Sequence, residues 1–114
     1  MTHDTNDSLE IDCFAVKQLL DDDQQLTLLD CRELDEYEYV HLSGAQLIPM
    51  QELPQRSHEL GEDTGQRIVV YCHHGQRSLM VAQWLRDQGW RGAQSMAGGI
   101  DAWSLHIDPS RARY

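Results

Sequence analysis

Positive charge, cysteine and long apolar runs are all scarce in this sequence. Nine lysines and arginines stand against nineteen acids, a net charge of −10. That balance argues against a nucleic-acid partner, whose binders usually carry a basic face. No apolar run approaches the roughly 20 residues that a membrane-crossing helix requires, so no membrane partner is expected. Met1 to Glu10 is acidic and polar, without the basic and apolar stretches of a secretory leader. The three cysteines, Cys13, Cys31 and Cys72, cannot all pair within one chain, and their spacings follow no zinc pattern. Reduced thiols in a cytoplasmic setting are therefore expected, with no metal and no cofactor.

What is present suits a small globular domain. The chain has 114 residues, 40% hydrophobic and 25% charged, a length that supports one core and not two. A loose tail is expected over residues 1–8, one α/β domain over 9–104, and an uninformative tail over 105–114. The charge is uneven. Residues 1–63 hold sixteen acids against Lys17, Arg32 and Arg56, while residues 64–114 hold three acids against six arginines. The acidic half reads as a solvated face, and the positive half provides a local field that attracts a small anion.

Strand and helix signals alternate along the chain. Asp12 is placed to cap a helix over Phe14, Val16, Leu19 and Leu20, ending in the acidic turn from Asp21 to Asp23. Leu26 to Asp30 reads as a buried strand, Glu33 to Tyr39 as a short helix, and Gly44 to Pro49 as a strand closed by its proline. Glu52 to Leu60 is helical in composition. Ile68-Val69-Val70-Tyr71 is the clearest strand. A helix over Ser78 to Gln88 follows, with Met80, Val81, Trp84 and Leu85 assigned to its apolar side and Gly89 ending it. Trp90, just past that break, is expected to be partly exposed. A strand near Gln94 to Met96 leads through Gly98-Gly99 to a helix ending near Trp103. The alternation predicts about five strands in a mostly parallel sheet with helices on both faces.

The chemistry concentrates in Tyr71-Cys72-His73-His74-Gly75-Gln76-Arg77-Ser78. A buried strand ends, a cysteine follows at once, and a polar loop with one glycine turns into a helix. Ligands of parallel sheets bind beyond the carboxyl ends of the strands. The helix start adds unpaired N–H groups and a positive dipole end, a nest for an anion that also favours a thiolate at Cys72. Gly75 supplies freedom for the curl, and Arg77 adds permanent charge. His73 and His74 read either as hydrogen-bond donors to an anion or as exposed loop residues. Asp30 ends a strand at the same sheet edge, and with Arg32 it reads either as a catalytic acid beside an anion binder or as half of a structural ion pair. His41 reads as a hydrogen-bonded structural histidine.

These stretches together resemble the rhodanese (sulfurtransferase) family, as a single-domain member. The resemblance runs from about Leu9 to Trp103. It rests on Leu28-Leu29-Asp30-Cys31-Arg32-Glu33 with Glu36-Tyr37, on His41-Leu42-Ser43-Gly44-Ala45 leading to Ile48-Pro49, on the Cys72 loop, and on Gly98-Gly99-Ile100-Asp101-Ala102-Trp103. It implies a Cys72 persulfide cycle. The thiolate takes the outer sulfur of an anionic donor such as thiosulfate and passes it to cyanide, a thiol or a sulfur-acceptor protein. It assigns donor and persulfide binding to His73, His74, Gly75, Gln76, Arg77 and Ser78, and structural support to Asp30, Arg32 and His41. Three departures stand out: the His-His-Gly-Gln-Arg loop matches neither a thiosulfate nor a mercaptopyruvate pattern, Val40 stands where glycine is common before His41, and Cys31 stands where valine is usual, as a small buried hydrophobe. Related phosphatases place their arginine six positions after the cysteine; here the spacing is five, so the smaller cradle points away from phosphate.

Overall fold

The computed structural model describes residues 8–114. The tail expected at 1–8 therefore lies outside the described residues, Ser8 excepted. The elements run β1 (Glu10–Ile11), α1 (Cys13–Asp21), β2 (Thr27–Asp30), α2 (Leu34–Tyr39), β3 (Gln46–Leu47), α3 (Leu53–Arg56) between two short 3-10 turns, β4 (Ile68–Tyr71), α4 (Gln76–Asp87), β5 (Ala93–Met96) and α5 (Gly99–His106). The five strands form one sheet in the order β1-β5-β4-β2-β3, and every neighbouring pair is parallel. The expected α/β architecture is the observed one.

Local chemistry explains each element. The Asp12 carboxylate accepts the Ala15 N–H at 2.7 Å and so satisfies one of the orphan donors that begin α1. Glu33 and Glu36 form a capping box at the start of α2. In β4 all four residues are buried, so β-branched residues on both sides fit a strand that is covered twice. The period of two divides them between layers. Ile68, Val70 and Cys72 face the layer built with α3 and α4, alongside Leu53, Val81, Ala82 and Leu85. Val69 and Tyr71 face the layer built with α1 and α5, alongside Val16, Ile100 and Trp103. Each large apolar side chain buried this way stabilises the fold by about 1.5–3 kcal/mol.

Several boundaries differ from the sequence reading, for physical reasons. The pair Glu10–Ile11 joins the sheet edge as β1, too short to announce itself by periodicity. Helix α4 begins at Gln76, two residues early, because Gly75 takes a left-handed φ of +103° and turns the chain directly into the helix. Its buried stripe is Ser78, Val81, Ala82 and Leu85. This rotates Met80 out to 64% exposure and leaves Trp84 only half-buried. Trp90, expected partly exposed, is buried among Leu60, Ile68 and Leu85, its main-chain N–H reaching back to the Leu85 carbonyl at 2.9 Å. Residues 107–114 also depart from the expected tail: they fold back across the sheet edge, where Arg111 donates to the His41 carbonyl at 2.8 Å.

One buried ion pair fastens the carboxyl edge of the sheet. Asp30 and Arg32 have no exposed side-chain surface, so their charges must be neutralised on the spot. Arg32 donates Nε to Asp30 Oδ1 at 2.9 Å and Nη2 to Oδ2 at 2.6 Å, in a fork. The same Nη2 donates to the Val40 carbonyl at 2.6 Å, and Nη1 to the Tyr114 hydroxyl at 2.7 Å. Arg32→Met leaves Asp30 buried without its partner and is expected to cost about 3–5 kcal/mol in urea denaturation. The double change Asp30→Leu with Arg32→Met should cost less than the single one, since it removes the orphaned charge.

Candidate active site

The carboxyl ends of β2, β4 and β5 converge on Cys72. Its Sγ lies at the floor of the loop that links β4 to α4, 1% exposed. It accepts the Gly75 N–H at 3.1 Å and the Ser78 N–H at 3.3 Å. The Ser78 hydroxyl stands 3.5 Å from it and is itself hydrogen-bonded to the Ser95 hydroxyl at 2.7 Å. The sulfur thus sits at the N-terminus of a twelve-residue helix with main-chain donors aimed at it, an arrangement that stabilises negative charge on sulfur.

The loop is shaped from behind by α5. The Ile100 N–H donates to the Cys72 carbonyl at 2.9 Å and the Asp101 N–H to the His73 carbonyl at 3.1 Å. Those carbonyls are held on the outside of the curl, which leaves the N–H ends facing the sulfur. The contact needs Gly99: a Cβ there would overlap the carbonyl oxygens of Cys72 and His73. The motif Gly98-Gly99 therefore supports the cysteine loop across a gap of more than twenty residues.

The side chains around the mouth form a linked set. Cys72, His73, His74, Gln76 and Arg77 line an opening of about 230 Å³. Arg77 donates to both oxygens of Glu36, at 2.8 and 3.0 Å. Glu36 also accepts the Glu33 N–H at 3.0 Å and the Tyr114 hydroxyl at 2.8 Å. Tyr114 accepts from Arg32, so Asp30, Arg32, Tyr114, Glu36 and Arg77 form one hydrogen-bonded chain. Burial raises the Tyr114 hydroxyl to about 12, which keeps its proton available for Glu36. The Tyr114 ring stacks on His73 at 3.9 Å and 6°. His73 stacks in turn on His74, and burial followed by the neighbouring imidazole lowers its basicity. His74 is 59% exposed.

The residues singled out from the sequence fall into two groups. Cys72, His73, His74, Gly75, Gln76, Arg77 and Ser78 do come together. Asp30 and Arg32 lie behind the loop, and His41 stands farther off, with Nδ1 2.9 Å from the Tyr37 carbonyl and its ring stacked on Tyr37. The sequence reading missed Tyr114, Ser95 and the tie between Glu36 and Arg77. No local pattern marks them, since 78 residues separate Tyr114 from Glu36. Among the described residues, His73, His74 and Asp101 have potential metal-ligating atoms within 4.8 Å of one another. The two imidazoles are stacked on each other, however, and the Asp101 carboxylate already accepts from Arg113 at 2.9 Å.

The fold, the cysteine loop and its glycine support define a rhodanese-type domain, and the chain belongs to that family: the rhodanese-like domain model matches residues 15–106. Among its relatives, the chain is 38% identical over 95 residues to the Bacillus subtilis protein named "Putative sulfur carrier protein YrkF", covering 83% of this chain and 50% of that one. It is 34% identical over 89 residues to the thiosulfate sulfurtransferase GlpE of Coxiella burnetii, covering 78% and 81% respectively. The crystal structure of a thiosulfate sulfurtransferase from Pseudomonas aeruginosa superposes with a TM-score of 0.81 at 27% identity, over 93% of this chain and 20% of that one. The chain thus spans half the length of YrkF and most of GlpE.

Glu36 makes the mouth sensitive to acid. The Arg77 guanidinium, more than any other neighbour, lowers its carboxyl from 4.5 to about 2. A lowered folded-state value gives stability that is full above the unfolded value and lost as pH falls through the folded one. Wild type should therefore lose part of its stability between pH 4.5 and about 2. Glu36→Gln should lack that part of the acid limb when both are followed by thermal unfolding across this range.

Proposed function

We propose that the chain is a sulfurtransferase that moves a sulfane sulfur from a small anionic donor, such as thiosulfate, to a thiophilic acceptor through a persulfide on Cys72. The observation that carries this reading is the Cys72 Sγ with the Gly75 and Ser78 N–H groups directed at it from the start of α4. The identity to GlpE supports the same reaction class.

In the first half-reaction the Cys72 thiolate attacks the outer sulfur of thiosulfate. A new S–S bond forms, the old one breaks, and sulfite leaves with the bonding pair. The loop's N–H groups hold the negative charge that the persulfide carries, as an oxyanion hole holds oxygen. In the second half-reaction cyanide or a thiol attacks the outer sulfur, and the thiolate returns as leaving group. One difficult transfer becomes two easier ones. Arg77, held by Glu36 at the edge of the opening, attracts the donor. His73, His74 and Gln76 line its approach. The five-position spacing from Cys72 to Arg77 keeps the cradle small enough for sulfur.

A second reading rests on the identity to a protein named as a sulfur carrier. In it the Cys72 persulfide is handed to a sulfur-acceptor protein, with little turnover on small molecules. Steady-state turnover with thiosulfate and cyanide separates the two readings.

Incubation with thiosulfate is expected to add one sulfur to the intact mass of wild type, reversed by cyanide, and nothing to Cys72→Ser. Gain on the serine variant would place the sulfur elsewhere and overturn the reading. Arg77→Ala should lower kcat/KM for thiosulfate by about tenfold, as loss of a charge-assisted contact predicts. Unchanged kinetics would leave the anion to the main-chain donors alone.

A further inference from the structure

Cys31 takes part in no step of that reaction, yet the sheet sets it beside the nucleophile. In the β2–β4 register Asp30 pairs with Tyr71, so the next residues along are Cys31 and Cys72. The pairing extends that far, for the Cys31 N–H donates to the Tyr71 carbonyl at 3.2 Å. Both thiols point to the same side: Leu29, Cys31, Val70 and Cys72 belong to one core layer. Neighbouring strands lie about 4.8 Å apart, within the roughly 4.4–6.8 Å between Cα atoms that a disulfide spans. Cys13 lies in the layer on the opposite face of the sheet.

The two thiols are unlike in reactivity. Cys31 has no exposed surface, and burial, helped by the nearby Cys72 and Asp30, pushes its thiol well above the ordinary range. It is held as a thiol and is not the first to meet an oxidant. Cys72 borders the opening, and its sulfur accepts the Gly75 and Ser78 N–H groups. An oxidant therefore finds Cys72 first, with a second thiol already in place behind it.

We propose that Cys31 is a resolving thiol for Cys72: a hydroperoxide oxidises Cys72 to the sulfenic acid, and Cys31 condenses with it to give an intramolecular Cys31–Cys72 disulfide. In the first step the thiolate attacks the peroxide oxygen, the O–O bond breaks and hydroxide or alkoxide leaves. In the second, the Cys31 sulfur attacks the Cys72 sulfur, the S–O bond breaks, and the hydroxyl departs with the Cys31 proton as water. A dithiol reductant restores both thiols by exchange. The pairing diverts Cys72 from irreversible sulfinic and sulfonic acids.

The test uses the full chain, hydrogen peroxide and no sulfur donor, so its outcome is independent of sulfur transfer. Wild type is expected to lose two hydrogens from its intact mass, to yield a Cys31–Cys72 cross-linked peptide on non-reducing digestion, and to recover both thiols with dithiothreitol. Cys31→Val and Cys31→Ser should instead gain two or three oxygens on Cys72 that dithiothreitol does not remove, while Cys13→Ser should behave as wild type. The wild-type peptide map stands even if a variant folds poorly. Over-oxidation of wild-type Cys72 without a cross-link, a cross-link to Cys13, or survival of both Cys31 and Cys72 as free thiols would each overturn the proposal.

Discussion

The guanidinium of Arg32 joins pieces of chain that lie far apart in the sequence. A fully buried cation is costly unless every N–H has an acceptor, and the acceptors come from three places: the end of β2, the residue after α2 and the last residue of the described chain. Satisfying this one group brings Tyr114 to the sheet edge. Tyr114 then donates a hydrogen bond from its hydroxyl to Glu36 and stacks its ring on His73. Glu36, so placed, holds Arg77. The arrangement of charges at the mouth is thus a consequence of neutralising a charge beneath it, and the surface chemistry inherits its geometry from the core.

Two kinds of information in the chain had different fates. Strand β4 was legible because four apolar residues in a row leave a strand little choice but burial on both faces, and α1 because its capping aspartate precedes an apolar stripe. The cysteine loop was legible because a cysteine between such a strand and a helix start has few bland explanations. The interactions that cross the molecule were not. Tyr114 bonds to Arg32 over 82 residues, and no composition or period in residues 105–114 signals it. Met80 and Trp84 were assigned to the buried face of α4 because they lie one helical turn apart and are apolar. The helix instead buries Ser78 with Val81, Ala82 and Leu85, since the serine hydroxyl is drawn inward by Ser95 and Cys72. A polar residue taken inside by a hydrogen bond can set a helix's rotation against its own hydrophobic pattern.

Burial of polar side chains extends to β5. Gln94 and Ser95 of β5 have no exposed surface, in a strand whose sequence, Ala-Gln-Ser-Met, does not look like a core strand. Gln94 accepts from Arg67 at 2.8 Å and donates to the Ser8 carbonyl at 2.8 Å. Ser95 accompanies Ser78 beneath the Cys72 sulfur. Each is satisfied, so the usual penalty for an unpaired buried group does not arise, and the strand gains a fixed position that apolar side chains would leave freer to slide.

The cradle around Cys72 is made of peptide groups held by other peptide groups: α5 grips the carbonyls of Cys72 and His73, and the amides of Gly75 and Ser78 face the sulfur. None of those bonds passes through the imidazoles of His73 and His74 or the carboxamide of Gln76. The walls of the opening and the seat of the sulfur are therefore separately inherited traits. Substitutions can rewrite the walls, and with them the shape and charge of the opening, while the seat stays as it is.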